Sequence, residues 1–173
     1  MIKRARIAVG GLAVSAALLV ALVQDEGYTD TAVIPVVGDR PTVGYGSTFR
    51  EDGSPVKIGD TTTPVKALAR TLSHIQKDER GIKSCVTAPL TQAEYDLMVD
   101  FSYQYGTQTL CKSSIVRQAN TGNYLESCKA YLSYRFVAGY DCSTMINGKP
   151  NKRCWGVWER SQDRYSKCVE GLS

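Results

Sequence analysis

The stretch EGYTDTAVIPVVGDRPTVGYGST, residues 26–48, decides how the rest of the chain is read. Two β-prone runs, Val33, Ile34, Val36 and Val37 and then Thr42, Val43 and Tyr45, flank the tetrad Gly38-Asp39-Arg40-Pro41. Branched and aromatic side chains favour extended backbone, and Gly, Asp and Pro favour a turn, so the pattern predicts a hairpin. Carboxylates lie close by in sequence, with Asp25, Glu26 and Asp30 ahead of the two runs and Asp39 in the turn.

Downstream, the punctuation is helical. In TTTPVKALARTLSHIQKDERG, Thr63 is placed as an N-cap and Pro64 as the first helical residue, with Leu68, Leu72 and Ile75 on one face. Thr91-Gln92-Ala93-Glu94 reads as a capping box; Leu97, Met98, Phe101 and Tyr105 follow as an apolar stripe, and Gly106 stops the helix. Segments near 114–120, 124–134 and 154–168 carry further helical patterning, interrupted by Gly122 and the loop GYDCSTMINGKPNK. The expected class is α+β: a small hairpin lobe and a larger helical lobe with a cleft between them.

Upstream, Lys3, Arg4 and Arg6 precede Ile7–Val23, seventeen residues that are apolar except for Ser15 and contain nine Ile, Leu and Val diluted by Gly10, Gly11 and five Ala. That length is at the lower edge of what spans a bilayer, and nine aliphatic residues contribute roughly −3 to −5 kcal/mol to insertion before the glycines and serine subtract. A basic start followed by an apolar run is an export signal. Because the run ends in Ala21-Leu22-Val23, a poor cleavage site, it reads as an uncleaved signal-anchor helix over residues 1–24, ahead of a cleaved signal or a buried core helix. The positive-inside rule then leaves the domain, residues 25–173, outside the cytoplasm.

Composition narrows the chemistry. Of 173 residues, 21 are Lys or Arg and 17 Asp or Glu, a net +4, of which three charges belong to the first six residues. The remainder is nearly neutral, which argues against nucleic acid as a partner. Six Cys (Cys85, Cys111, Cys128, Cys142, Cys154 and Cys168) all follow the apolar run, an even number that reads as disulfides in an exported chain. Fifteen pairings are open, and the short loop between Cys142 and Cys154 makes that pair the favoured guess. With His74 as the sole imidazole, multi-His metal sites are excluded, no cofactor is expected, and a His-dependent triad would have to use a residue on the polar face of a helix. Carboxylates remain, and carboxylates alone suffice for glycoside hydrolysis.

Here the chain resembles a known family. Glu26-Gly27-Tyr28 with Pro41-Thr42-Val43-Gly44-Tyr45-Gly46-Ser47-Thr48, and then Leu90-Thr91-Gln92, Phe101-Ser102-Tyr103-Gln104-Tyr105-Gly106, Ser113–Arg117 and Asn120–Tyr124, look like the ordered blocks of phage-type lysozymes, the muramidases of glycoside hydrolase family 24. The resemblance implies a two-lobed lysozyme-like fold and hydrolysis of the β-1,4 bond between N-acetylmuramic acid and N-acetylglucosamine in peptidoglycan. By position, it makes Glu26 the general acid, Thr42 the residue that helps place a water, and Tyr103 and Ser114 part of the saccharide cleft. The family's usual Asp, nine residues after the Glu and six before the Thr, falls here on Pro35 and Val36, and the nearest substitute is Asp39. A strand advances about 3.3 Å per residue and inverting chemistry separates its carboxylates by about 6.5–9.5 Å, a span that a turn folded over the cleft would meet. Gly44 and Gly46 either admit the sugar or relieve crowding between strands. Ser47 stands where the family has a His.

Joined to the anchor, the domain resembles the signal-arrest-release endolysins of bacteriophages, which use the host secretion machinery, wait tethered to the inner membrane facing the periplasm, and are freed when a holin or pinholin collapses the membrane potential. Glu26 lies three residues beyond Val23, on the order of 5 Å along a continuing helix, which would hold it at the lipid interface. The anchor contains no Cys, so blockage by a thiol swap with the anchor is disfavoured. Two other readings stand beside this one: a membrane-anchored, non-catalytic glycan-binding domain, and a conventionally secreted lysozyme with a cleaved signal.

Overall fold

The structure, a computed structural model, describes residues 5–35 and 38–172. Helices carry most of the chain, and the strands form short antiparallel pairs, giving the expected α+β class. The chain divides into two compact units, Val14–Arg80 and Gly81–Ser173, the latter together with the chain before Val14.

In the first unit, α1 (Ala16–Glu26) starts where the Ser15 hydroxyl accepts the Leu18 N–H, and it stops at Gly27, whose φ of 68° no helical residue adopts. The strands β1 (Thr29–Val33) and β2 (Thr42–Gly44) pair antiparallel, with Val33 opposite Thr42 and Thr29 opposite Gly44 across an irregular register. The hairpin therefore exists, but its first strand ends at Val33, where the apolar run was expected to begin it. The reason is that β1 is held on both edges: Ala32 N–H donates to the Asp60 carbonyl and Thr62 N–H to the Asp30 carbonyl, each at 2.8 Å. Buried Ala32, Val43 and Val56 form the small core beneath it. Val36 and Val37 lie outside the described residues.

The loop leading to α2 (Pro64–Cys85) is tied by Arg50, which donates twice to the Asp60 carboxylate at 2.7 Å, while Lys57 N–H donates to the same group. These bonds hold the Asp60 carboxyl down at about 2, against an ordinary 3.8. Thr63 caps α2 as expected, accepting the Lys66 N–H. Its buried residues, however, are Ala67, Thr71, Ile75, Glu79 and Ile82, so Leu68 is exposed and only Ile75 of the expected stripe is fully in the core. Gly81 does not end the helix. A Cβ there would stand 2.5 Å from the Thr107 methyl, so glycine lets the Thr107 side chain pack directly on the helix backbone.

In the second unit, α3 (Gln92–Tyr105) has the full capping box of Thr91 and Glu94 and ends at Gly106, and its Met98, Val99 and Phe101 are buried. Three short helices follow, α4 (Thr107–Lys112), α5 (Ser114–Asn120) and α6 (Tyr124–Ala130). The loop read between Gly139 and Lys152 holds most of two minimal hairpins, β3 (Phe136–Val137) with β4 (Tyr140–Asp141) and β5 (Met145–Ile146) with β6 (Lys149–Pro150). The chain closes with α7 (Trp155–Glu170), whose buried Arg164 donates to Asp100 and Gln104 of α3. Disulfides join Cys85 to Cys111, Cys128 to Cys168 and, as the short loop between them favours, Cys142 to Cys154.

The apolar run Ile7–Val23 corrects the expectation of one continuous anchor helix. Ile7 and Leu90 exchange both backbone hydrogen bonds at 2.9 Å, Val9–Gly11 make a single 3-10 turn, and α1 begins only at Ala16. Adjacent glycines carry the poorest helix propensity short of proline, and partners elsewhere complete the break: buried Glu79 accepts the Val14 N–H at 2.7 Å, and Gln92 donates to the Ala13 carbonyl. Among the described residues no helix is long and apolar enough to cross a membrane. Val9 and Leu12 are buried instead, and Arg6 clamps Glu94 with three hydrogen bonds of 2.7–3.2 Å while stacking on the Tyr124 ring.

Two outcomes follow from these ties. Arg6→Ala leaves the buried Glu94 carboxylate without its cation and should lower unfolding free energy by about 1.5–3 kcal/mol in urea titrations. Because the Asp60 carboxyl is depressed, its contribution is present above pH 3.8 and lost as pH falls toward 2. Asp60→Asn should therefore flatten the stability change across that window relative to the parent protein.

Candidate active site

The helix α1 delivers Glu26 as its last residue, and Gly27 turns the chain sharply into β1. Twenty residues on, just past β2, Gly46 approaches from the other side: a Cβ on it would stand 2.9 Å from Glu26 Oε2. The Glu26 carboxylate thus rests against the bare backbone of Gly46 and remains exposed to solvent. Tyr28, two residues after Glu26, and Tyr45, next to Gly46, have ring centroids 5.4 Å apart, and the Tyr28 hydroxyl donates to the Thr62 carbonyl. Desolvation and the nearby Asp30 push that hydroxyl's pKa up, keeping it a neutral donor.

Thr42 opens β2, half-buried opposite Val33, and Asp39 is exposed on the turn that connects the two strands. Glu26, Asp39 and Thr42 therefore share one unit and one hairpin neighbourhood. Tyr103, half-buried on α3, and Ser114, the first residue of α5 after the capping Ser113, belong to the other unit. Ser47 is occupied locally, its hydroxyl donating to the Phe49 carbonyl at 2.8 Å. His74 is largely exposed on α2 within 3.5 Å of Asp78, as its polar helical surroundings implied.

The two glycines of the TVGYGS motif separate cleanly. A Cβ on Gly44 would fall 2.7 Å from Ala67 Cβ, so that glycine exists for the packing of β2 on α2. Gly46 serves the carboxylate. Sequence alone did not distinguish them, because the partner of each lies some twenty residues away.

Residues 23–153 match the family model of phage lysozyme. The endolysin of Salmonella phage P22 is 30% identical over 128 residues, covering 74% of this chain and 83% of that one. The SAR-endolysin of Pseudomonas phage phiKMV is 30% identical over 139 residues, covering 80% and 82%. Among solved structures, the endolysin from Escherichia coli O157:H7 phage FAHEc1 superposes with a TM-score of 0.76 at 25% identity, over 94% of this chain and 97% of that one. The active form of the P1 phage endolysin Lyz shares the fold, with a TM-score of 0.69 at 18% identity over 95% and 89%. The chain belongs to the phage lysozyme family, which makes it a glycoside hydrolase of the muramidase type.

Gly44→Ala should cost about 2–4 kcal/mol of stability, combining a clash with Ala67 and a left-handed backbone at φ 71°. Gly46→Ala lacks a packed backbone neighbour and should cost about 1 kcal/mol. Urea unfolding of the two variants checks the difference, and Ala67→Gly should restore part of the loss in the first.

Proposed function

We propose that this chain is an endolysin that cleaves the β-1,4 linkage between N-acetylmuramic acid and N-acetylglucosamine, with Glu26 as general acid. The observation that carries the assignment is the seating of an exposed carboxylate at the end of α1 against a side-chain-free backbone at Gly46. Such a group has open access to a bulky polysaccharide, and its proton is delivered from a fixed position. In the inverting form of the reaction, Glu26 protonates the glycosidic oxygen as the bond to the anomeric carbon breaks. Asp39 takes a proton from a water held with the help of Thr42, and that water's oxygen bonds to the anomeric carbon from the opposite face. By the family resemblance, Tyr103 and Ser114 take saccharide-binding roles.

Glu26→Gln should reduce peptidoglycan clearing by about 10²–10⁴-fold with unchanged stability; retained clearing would overturn the assignment. Asp39→Asn tests the second carboxylate separately, and near-parental turnover would remove Asp39 from the mechanism. Gly46→Ala should slow turnover while leaving the fold in place, since its new methyl displaces the Glu26 carboxylate.

The reading extends to residues 1–24 as a signal-anchor that is exported through the host secretion machinery, tethered to the inner membrane, and released into the periplasm when a holin or pinholin acts. Two features support it, along with the phiKMV relative described as a SAR-endolysin. Of the apolar residues of α1 only Leu22 is fully buried, and Val20 remains 51% exposed, so much of the helix is left facing solvent. Residues 6–13, for their part, have specific partners waiting in the folded domain, at Leu90, Glu94 and Gln92. A segment with both a weak affinity for lipid and a fitted position in the folded domain is what release requires. A Cβ on Gly10 meets nothing within 4 Å and one on Gly11 only the tip of Ile7. Gly10→Leu with Gly11→Leu should therefore spare the folded state while holding the protein in the membrane fraction and delaying lysis; unchanged fractionation and timing would count against release.

A further inference from the structure

We infer that the double hairpin 135–153 is an interfacial element that binds the surface of an anionic phospholipid bilayer. Five large apolar side chains project there within eleven residues: Phe136 at 54% exposure, Val137, Tyr140, and Met145 and Ile146 at 56% each. Both strands of each pair are only two residues long, and such hairpins are marginal on their own. They are nonetheless firmly built. The Cys142–Cys154 disulfide closes the loop, Asp141 accepts from Arg135, Ser143 and the Ser143 backbone, Asn151 N–H donates to the Thr144 carbonyl, and Arg153 stacks 3.5 Å above the Tyr140 ring. The apolar residues are displayed by a cross-linked scaffold.

Charge decides what they are displayed to. Residues 135–153 contain four basic residues and one acidic, a net +3, whereas residues 7–173 as a whole carry +1. The rest of the domain therefore carries a net −2, and the excess of positive over negative charge lies in this loop. Arg135 and Arg153 are engaged within the scaffold, but Lys149 and Lys152 are exposed and have no carboxylate partner among the described residues. Exposed aliphatic and aromatic groups beside unpaired lysines are the pattern of an element that seats its apolar tips at the acyl boundary and its ammonium groups among anionic headgroups. A polysaccharide partner has no apolar interior to receive Met145 and Ile146. The inference stands on this loop alone and does not depend on the role of Glu26.

The chain's two tryptophans, Trp155 and Trp158, directly follow the loop, and Trp158 lies 5.9 Å from the Arg135 guanidinium, so their fluorescence reports this region and not the N-terminal apolar run. Purified full-length protein is mixed with vesicles of phosphatidylglycerol and phosphatidylethanolamine, or of phosphatidylcholine alone, each containing brominated lipid. Quenching is expected on the anionic vesicles and not on the neutral ones, weakening with added salt. Lys149→Ala with Lys152→Ala should reduce the vesicle affinity roughly 30-fold, and Phe136→Ser with Met145→Ser and Ile146→Ser should abolish the quenching, with thermal unfolding reporting that the variants fold. Equal quenching by parent and both variants would overturn the inference. So would a parent that ignores vesicles but binds isolated peptidoglycan sacculi through the same residues, which would make the loop a glycan surface.

Discussion

Glu26 and the apolar run preceding it are parts of one hydrogen-bonded helix. The helix α1 begins at Ala16, inside the run, and ends on Glu26, so the carboxylate cannot be positioned independently of the residues that precede it. A helix is stiff over eleven residues, and Gly27, at a backbone angle that forbids its continuation, makes the end of that helix a fixed point from which β1 departs. Much else in the unit Val14–Arg80 supports this geometry. Glu79 fixes the backbone at Val14, Ser15 caps the start, Gly46 receives the end, and Asp60 ties the segment that braces β1.

In the other unit, Glu94 has a comparable place. It completes the capping box of α3 through the Thr91 N–H and at the same time receives the Arg6 guanidinium, which raises the Arg6 pKa further. A residue whose sequence context accounts fully for one role thus performs a second with a partner 88 positions away. The terminal segment is thereby held by a directional, charge-assisted contact as well as by the burial of Val9 and Leu12.

Local signals in the sequence specify structure where the partner is local. The capping box at Thr91, the stop at Gly106, the start of α2 at Pro64 and the Cys142–Cys154 loop all depend on residues a few positions apart. Such signals mislead where the decisive partner is distant. Periodicity places Leu68 in the core, but the approach of Gly44 to Ala67 turns the buried face of α2 away from it. Gly81 lies inside α2 because Thr107 packs on it, and β1 is drawn to the edge offered by residues 60–62 instead of following the apolar run. The candidate site shows the same division. The motif points to Glu26 and Thr42 as candidates, whereas the contact between Glu26 and Gly46 belongs to the folded chain.

The placement of the disulfides has its own consequence. All three lie within residues 85–168, and the unit that bears Glu26 has none. The chain is thus sensitive to thiol reductants in one unit and indifferent to them in the other. In a reducing compartment the cross-links that close loops of up to forty residues would be missing, and the larger unit would lose its covalent reinforcement while the unit that bears Glu26 would be unchanged. Oxidation therefore adds covalent reinforcement to the larger unit alone and leaves the unit of Glu26 to its non-covalent ties.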